Sequence, residues 1–333
     1  MNEGILSVVG ETPLIRLNQV FEDAHFRLFA KMESSNPGGS IKDRPALRIL
    51  KHGIRTGAIL PGTVVIESSS GNMGIGLAQA CAYFRLRLIC VVDPKTTKQN
   101  ILLIKAYGGE IDLVTEPDRF TGEFLKARID RVKTLLSSIE NSFWPNQYAN
   151  VENSSAHHQT MHEIAMALDG KVDYLFCSTS TCGTLRGCAE YVRAQGLKTR
   201  IIAVDAMGSV IFGGQKRKRL IPGHGAAIVP PLFKPDFADE CIHASDLDCV
   251  VGCRRLARRE AILAGGSSGA VLMAVEKSMN DIRERANCVM IFADRGERYL
   301  DTVFSDAWVK EHFGDVSHLW RDHLEADLWM TAA

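Results

Sequence analysis

Short apolar runs alternate along the chain with longer segments in which apolar residues recur at helical spacing. The runs predict β-strands because they are rich in β-branched and aromatic residues and are followed by turn residues. The predicted strands cover residues 27–32, 63–67, 86–92, 110–114, 173–177, 200–205 and 288–292. The predicted helices cover residues 40–56, 71–83, 99–106, 122–138, 154–168, 183–195 and 267–280.

This alternation predicts an α/β fold, with a mainly parallel sheet covered by helices on both faces. Residues 175–177 and 289–292 contain no polar position, as expected of strands that are buried on both sides. Residues 208–247 break the pattern with five glycines and four prolines, which predicts a long irregular loop. The predicted units are two α/β domains and a tail, at residues 1–150, 151–320 and 321–333.

The charge balance of the chain narrows the classes of function. Among 333 residues, Lys plus Arg equals Asp plus Glu at 39 each, which argues against a nucleic-acid-binding or membrane-surface protein. The amino-terminal residues lack the basic and apolar regions of a signal peptide, so we expect a cytoplasmic protein. Nine cysteines without a Cys-x-x-Cys pair predict reduced thiols, not a disulfide scaffold or zinc ribbon.

A lysine stands where a helix is predicted to begin, in residues 36–45, which read NPGGSIKDRP. Ser40 is a good amino-terminal cap, and Asp43 suits the positive end of the helix dipole. Lys42 is electrostatically misplaced there, because a helix amino terminus disfavours cations. With burial, the same placement would lower its pKa and make it a nucleophile. The alternative is a lysine that extends into solvent.

Two further segments pass from a strand through a polar loop into a helix. Residues 67–76 hold three serines and an asparagine, donors that suit a carboxylate. Residues 178–185 combine small hydroxylated side chains with a glycine, which suits a phosphate. For both loops, a capped helix without a ligand stays open. Taken alone, the loops at residues 264–270 and 294–299 are more typical of ordinary turns.

A histidine pair on one predicted helix is a weak candidate for a metal site. His158 and His162 are four residues apart, but Met166 stands where a further histidine would be needed. We expect solvated or packed histidines and no metal.

The ordered set of loops resembles the cysteine synthase/cystathionine β-synthase family of fold-type II pyridoxal-phosphate enzymes. It consists of S-I-K-D-R, S-S-G-N-x-G, T-C-G-T, G-S-S-G and D-R-G-E-R-Y, and the resemblance covers about residues 5–302. It implies a fold similar to the β subunit of tryptophan synthase, with two three-layer αβα domains, pyridoxal 5′-phosphate between them, and a homodimer.

The resemblance also implies roles for individual residues. Lys42 would form the Schiff base with the cofactor, Asn72 would bond its 3′-oxygen, and Ser267 would bond its pyridine nitrogen. The cofactor phosphate would be held by Ser180, Thr181, Cys182, Gly183 and Thr184. The α-carboxylate of the substrate would be bound by Ser69, Ser70, Asn72, Met73 and Gln147.

The implied chemistry is β-replacement through an aminoacrylate. The segments NPGGSIKDRPA, WPNQYAN, VDAMGSVIFGG and DRGERYLDTVFSDAW look like family members that join O-phospho-L-serine to L-glutamate with loss of phosphate. In those members the reaction is the first step towards L-2,3-diaminopropionate for siderophores. Phosphate and glutamate both need cations nearby, and the candidates are Arg128 and residues 216–219, with Tyr148 as a further donor.

Two alternatives to this reading stay open. Ser68, Ser69 and Met73 replace a proline and two threonines of typical cysteine synthases, and Ser180 and Cys182 replace two glycines. These side chains narrow the site, which makes sulfide a less obvious nucleophile. The first alternative is nonetheless an O-acetylserine or O-phosphoserine sulfhydrylase that makes cysteine. The second is a protein of the same fold that binds partners without catalysis.

Overall fold

The computed structural model describes residues 3–120 and 122–321, and within them ten β-strands form two sheets. The strands are β1 (Leu14–Leu17), β2 (Arg27–Met32), β3 (Val64–Ser68), β4 (Arg87–Val92), β5 (Glu110–Leu113), β6 (Ser142–Phe143), β7 (Tyr174–Ser178), β8 (Arg200–Ala206), β9 (Glu240–Ala244) and β10 (Asn287–Phe292). The predicted tail lies outside the described residues except for Arg321.

In the same part of the chain, nine α-helices surround the sheets. They are α1 (Asp43–Arg55), α2 (Asn72–Phe84), α3 (Lys98–Ala106), α4 (Phe124–Ser138), α5 (Val151–Ala167), α6 (Gly183–Ala194), α7 (Asp246–Arg259), α8 (Gly266–Lys277) and α9 (Asp306–Phe313). None of these helices is both long and apolar enough to cross a membrane.

The larger sheet has six strands in the order β1-β2-β10-β7-β8-β9. Only the edge pair β1 and β2 is antiparallel, and the other neighbours are parallel. The carboxyl ends of β2, β10, β7 and β8 therefore lie along one edge of the sheet. The loops that follow these four strands begin at that edge, where open α/β sheets bind their ligands.

The smaller sheet has four parallel strands in the order β5-β4-β3-β6. Its strands come from residues 64–143, whereas β1 and β2 at the start of the chain join the larger sheet. Membership of the two sheets is thus not contiguous along the chain. The division at residue 150 stays a prediction about domains.

Apolar side chains pack on both faces of each sheet, which gives two three-layer units. In β7, Leu175 points into the core beneath α5 and α6, while Phe176 points into the core beneath α7 and α8. In β3, Val65 packs towards α1 and α2, and Ile66 packs towards α4. The strand runs without polar positions are therefore buried on both sides, as the sequence predicted.

The prediction of an irregular loop over residues 208–247 is wrong at its carboxyl-terminal end. Glu240–Ala244 forms edge strand β9 beside β8, and α7 begins at Asp246 behind a capping box made by Ser245 and Asp248. Cys-Ile-His-Ala is a weak strand signal, and pairing with β8 supplies the backbone hydrogen bonds that propensity alone does not predict.

The nine cysteines are free thiols, and all but Cys241 are buried. Burial raises the pKa of Cys81, Cys90 and Cys177 to about 12, so these thiols are protonated near neutral pH. They fill core positions as small apolar groups, in agreement with the prediction of reduced cysteines.

Candidate active site

Four loops meet at the edge of the larger sheet where β2, β7, β8 and β10 end. The loop after β2 is bound to the loop after β10, because Ile41 N donates to Ala293 O at 2.8 Å and Ser40 forms a bridge with Asp294. The loops after β7 and β8 meet where Gly225 N donates to Thr179 O at 2.7 Å. Polar side chains that are far apart in sequence therefore come together at this edge.

Lys42 lies at the centre of this group. Its ammonium is within electrostatic reach of Asp294, Cys177 and Cys182, and it makes no hydrogen bond or ion pair with any described residue. Loss of water on burial is the largest influence on the Lys42 pKa and lowers it. A lysine with a lowered pKa has a larger neutral fraction, and the neutral amine is the nucleophilic form.

The start of α1 differs from the sequence prediction by three residues. The helix begins at Asp43, so Lys42 is its cap residue and Ser40 is not. The Ser40 hydroxyl instead accepts the Lys42 backbone N–H at 3.2 Å, and the Asp43 carboxylate accepts the Gly38 N–H. These short-range bonds hold the backbone on both sides of Lys42 in a tight turn before the helix.

The loop from β3 to α2 uses its serines unequally. The Ser69 hydroxyl is buried and accepts the backbone N–H groups of Gly71 and Gly74, at 3.4 and 3.0 Å. Since a hydroxyl has one donor and two acceptor sites, its O–H is still available for a carboxylate. Ser70 is half-buried, and its carbonyl accepts from the Asn100 side chain at 3.0 Å.

Met73 and Gln147 lie on either side of this loop. The Met73 side chain is in the apolar core between α2 and the smaller sheet, so only its backbone can face a ligand. Gln147 is buried, and its Nε2 donates to Ser68 O at 3.2 Å. Its backbone N–H donates to Glu67, whose pKa is raised to about 7 by burial.

The loop from β7 to α6 forms a backbone cradle. Cys182 takes a left-handed conformation at φ 62°, and α6 begins at the next residue, Gly183. A Cβ at position 183 would strike Asn153 Oδ1, so glycine is required there. Asn153 donates to the Thr181 hydroxyl at 3.3 Å, and its Oδ1 is buried without a hydrogen-bond partner among the described residues.

The other two hydroxyls of this loop differ in exposure. Ser180 is half-buried, whereas Thr184 is buried and lies 3.3 Å from His157 Nε2. Burial, and then the charge of Lys42, lower the His157 pKa well below its ordinary value, so this ring is neutral near pH 7. Ser267, in the first turn of α8, is also buried, and its hydroxyl has no hydrogen-bond partner within the described residues.

Three functional side chains escaped the sequence analysis because their segment was interpreted as an ordinary turn. Asp294 Oδ2 accepts from Asn72 Nδ2 at 2.7 Å and from the Tyr299 hydroxyl at 2.6 Å. Arg298 donates to Asn72 Oδ1 and to Gly38 O. The available signal was a run of two arginines, two acids and a tyrosine at residues 294–299, shortly after an apolar strand.

Arg128 and Tyr148, two of the candidates for binding an anionic substrate, lie within electrostatic reach of each other. Arg128 is buried 3.3 Å from Asp93, but its Nε and Nη1 have no hydrogen-bond partner among the described residues. Burial raises the pKa of Tyr148, while the charges of Arg128 and Arg219 oppose that rise. The positive charges of two guanidinium groups, on Arg128 and Arg219, therefore both favour the ionised form of the Tyr148 hydroxyl.

The four basic residues at positions 216–219 differ in exposure and in the groups that they contact. Lys216 forms an ion pair with Glu123 at the start of α4, and Arg217 and Lys218 are exposed. Arg219 is half-buried, donates to His224 O at 2.7 Å and is within electrostatic reach of Tyr148. Only Arg219 of this run turns towards the group around Arg128.

Comparison with known proteins explains why these loops occur together. A family model described as "pyridoxal-phosphate dependent enzyme" matches residues 5–294. The chain belongs to the pyridoxal-phosphate dependent enzymes.

Within this family, the chain is 44% identical over 308 residues to N-(2-amino-2-carboxyethyl)-L-glutamate synthase of Ralstonia nicotianae, covering 92% of this chain and 91% of that protein. It is similar to the solved O-acetylserine dependent cystathionine beta-synthase of Helicobacter pylori, with a TM-score of 0.84, 30% identity and coverage of 91% and 98%. The cysteine synthase of Entamoeba histolytica gives a TM-score of 0.86, 30% identity and coverage of 97% and 96%.

These findings confirm three predictions from the sequence. The chain is an enzyme, it has the α/β architecture of the fold-type II enzymes, and pyridoxal phosphate is its cofactor. The residues fit that cofactor, because the partly buried amine of Lys42 makes no hydrogen bond or ion pair within the described part of the chain and a backbone cradle begins at Gly183. The unpartnered Asn153 Oδ1 beside this cradle marks a buried polar position that a ligand or water would complete.

Proposed function

We propose that the enzyme joins O-phospho-L-serine and L-glutamate to give N-(2-amino-2-carboxyethyl)-L-glutamate and phosphate. The relative from Ralstonia nicotianae supports this reaction by its name and by 44% identity over most of both chains. The observation that carries the choice of acidic substrates is the Arg128 guanidinium, which is buried and whose Nε and Nη1 make no hydrogen bond with any described residue. Asp93 lies 3.3 Å from its Nε as an ion-pair partner, and an anionic substrate would satisfy the donors that Asp93 leaves open.

We assign the cofactor to the residues of the converging loops. Lys42 would hold it covalently through its amine, Asn72 would bond its 3′-oxygen, and Ser267 would bond its pyridine nitrogen. The phosphate would be held by Ser180, Thr181, Cys182, Gly183 and Thr184. When bound, pyridoxal phosphate supplies an electron sink for negative charge that develops at the substrate α-carbon.

Lys42 is the group that moves protons in this proposal. Its lowered pKa favours the neutral amine, which can take the proton from the substrate α-carbon and later return it. The bond from the β-carbon to the phosphate oxygen breaks, and a bond from the glutamate nitrogen to the same carbon forms. That nitrogen loses one proton, and phosphate leaves.

The β3–α2 loop would bind the α-carboxylate of the first substrate. The free O–H of Ser69 can donate, as can Ser70, while Met73 contributes through its backbone N–H at the start of α2. Gln147 is held against this loop by its bond to Ser68 O, and it completes the proposed set.

Arg128 and Tyr148 would bind the second anionic group, from the phosphate or from glutamate. Arg128 belongs to α4 and Tyr148 follows β6, so both come from the smaller-sheet side of the site. A guanidinium can hold a carboxylate or phosphate through paired donors, which gives orientation as well as charge.

The wider setting belongs to the same proposal. We propose a cytoplasmic homodimer that acts in the supply of L-2,3-diaminopropionate for siderophores, as the family resemblance implies. Nine free cysteines support a reducing compartment. Sulfhydrylase activity is the second candidate, because two structural relatives are named for cysteine or cystathionine synthesis.

Purified enzyme loaded with pyridoxal phosphate tests the proposal. It would be mixed with O-phospho-L-serine, followed by absorbance, and then given L-glutamate or sulfide. We expect a spectral change with phosphoserine, reversal by glutamate, and a C–N-linked product by mass spectrometry. A change only with O-acetylserine, reversed by sulfide and giving cysteine, would contradict the proposal and establish a cysteine synthase.

A further inference from the structure

The side-chain amide of Asn72 is held at both ends by residues from a distant part of the chain. Its Nδ2 donates to Asp294 Oδ2 at 2.7 Å, across 222 positions in sequence. Its Oδ1 accepts from Arg298, which lies four residues beyond Asp294. Asn72 begins α2, and the other two follow β10, so this contact joins the two three-layer units.

These two contacts have chemically opposite requirements. An asparagine amide has nearly the same shape when its oxygen and nitrogen are exchanged, so packing alone does not select one orientation. Arg298 can only donate, and an ionised Asp294 can only accept. The exchanged orientation would place NH2 against a guanidinium and oxygen against a carboxylate, which loses both hydrogen bonds.

Asp294 is itself fixed in place. It is 1% exposed, and its Oδ2 also accepts the Tyr299 hydroxyl at 2.6 Å. Its backbone carbonyl accepts from Gly265 N at 3.1 Å, and a Cβ on Gly265 would collide with Oδ1. The carboxylate therefore cannot rotate away without disturbing the start of α8.

Arg298 is fixed by the loop that carries Lys42. Its second contact is the carbonyl of Gly38, whose backbone N–H is held by Asp43 at the start of α1. The same guanidinium therefore contacts the loop of the proposed covalent residue and the amide proposed for the 3′-oxygen. This couples the placement of two cofactor-binding groups.

We infer that Asp294 and Arg298 are positioning residues that fix the Asn72 amide with its NH2 group available to the 3′-oxygen of the cofactor. The inference rests on the cofactor role of Asn72 in the proposed function, not on the identity of the amino-acid substrates. One Nδ2 hydrogen is used by Asp294, and the other is left to donate. A donor at that place stabilises the ionised form of the 3′-oxygen.

A double-mutant cycle tests whether Arg298 acts through Asn72. The full-length protein would be stripped and titrated with pyridoxal phosphate, to measure the dissociation constant and the absorbance band of the ionised 3′-oxygen. We expect Arg298→Leu to weaken cofactor binding about tenfold and to reduce that band. In the Asn72→Ala background the same change should weaken binding less than about twofold.

Two further variants separate orientation from packing. Arg298→Lys keeps one donor and should restore most of the affinity and the band. Arg298→Gln has an amide that can donate or accept, so its cofactor affinity and absorbance band should lie between those of Arg298→Leu and the unmodified protein. If Arg298→Leu does not fold, these two variants replace it in the test. Arg295→Leu is the matched control, because Arg295 is exposed in the same loop and donates to Ser34 O, away from Asn72.

The inference is overturned if Arg298→Leu weakens binding equally in both backgrounds, or if it leaves both the affinity and the band of the otherwise unmodified protein unchanged. An equal effect of Arg295→Leu would also overturn it, because the loss would then come from the loop as a whole. Since no amino-acid substrate is present, a failure here is separate from a failure of the phosphoserine and glutamate reaction.

Discussion

Asn72 and Arg128 lie in two regions of the candidate site whose polar groups are in opposite states. The Asn72 amide is bonded at both ends, to Asp294 and Arg298, before any ligand is considered. The Arg128 guanidinium is buried, and two of its nitrogens have no partner among the described residues. The first region is organised in advance around a permanent group, and the second has bonding capacity left for an exchangeable anion.

The most damaging change removes the Lys42 amine, which is proposed to hold the cofactor covalently and to move the proton of the substrate α-carbon. Lys42→Ala should lower turnover by about 10³-fold or more, because no other described amine lies at the centre of the loops. The absorbance of covalently bound cofactor should disappear in the same variant. Lys51→Ala, exposed on the same helix, is the control, and full turnover by Lys42→Ala would contradict the assignment.

The second region is tested by neutralising Arg128, whose donors are not all used within the described part of the chain. Arg128→Gln should lower kcat/KM for L-glutamate by about 100-fold, because a charge-assisted pair of hydrogen bonds is lost, while the cofactor spectrum stays unchanged. Steady-state kinetics with glutamate and with sulfide check this. Arg131→Gln, largely exposed on the same helix, is the control. An equal fall in the sulfide-dependent rate would assign Arg128 to the phosphate of the first substrate, whereas an unchanged kcat/KM for L-glutamate or an altered cofactor spectrum would remove the contrast between the two regions.

A third group of charges lies outside both regions and is fully paired. Glu163 accepts from Lys31 and Arg44, and Arg44 also pairs with Glu33. Burial alone would raise the Glu163 pKa, but its cationic partners outweigh burial and lower it to about 2. Because the folded pKa is below the ordinary 4.5, this stabilisation is present above pH 4.5 and is lost as pH falls towards 2.

Glu163→Gln should therefore lower the free energy of unfolding by about 3 kcal/mol near pH 7, because two buried cations lose a partner. The difference from the unmodified protein should shrink at about pH 3. Urea denaturation at the two pH values measures both quantities. A difference that is the same at both would show that the charge of Glu163 does not contribute to stability.

The smallest expected effect is at the far end of the helix that begins with Asn72. Arg85 ends α2 in a left-handed conformation at φ 55° and is exposed. Arg85→Gly should stabilise the fold by about 0.5 kcal/mol, since relief of backbone strain exceeds the entropic cost of glycine. Thermal unfolding measures this, and the cofactor spectrum should not move. A change in the cofactor absorbance would mean that the stability of α2, and not the hydrogen bonds of Asn72 to Asp294 and Arg298, determines that absorbance.

Local sequence signals predicted most elements to within a few residues. The strand at residues 27–32 was predicted with the bounds that the structure has, and α6 begins at Gly183 as expected. Some errors lie where long-range contacts decide, whereas α7 was missed although the capping box of Ser245 and Asp248 is a local signal. Edge strand β9 depends on pairing with β8, and the start of α1 at Asp43 depends on the bridge from Ser40 to Asp294.

Within the site, the sequence predicted which residues take part but not whether their side chains are buried or which residues they contact. Met73 was proposed for the substrate site; its side chain packs in a core because the first turn of α2 directs it inward, so the proposal rests on its backbone N–H. Asp294, Arg298 and Tyr299 were missed: the charged run at residues 294–299 was a signal, but a turn after a strand does not show which distant residues it will contact.

The sequence by itself determined the alternation of strands and helices, the loops that follow the strands, and, through their order, the family resemblance. These depend on spacing along the chain, which residue type and period record directly. Only the tertiary structure decided that β10 inserts between β2 and β7, and that Asn72 is bonded to Asp294 and Arg298. It also decided that Arg128 is buried with donors to spare. Such contacts depend on which distant surfaces the packed sheets bring together. The residues next to each position in the sequence do not indicate this.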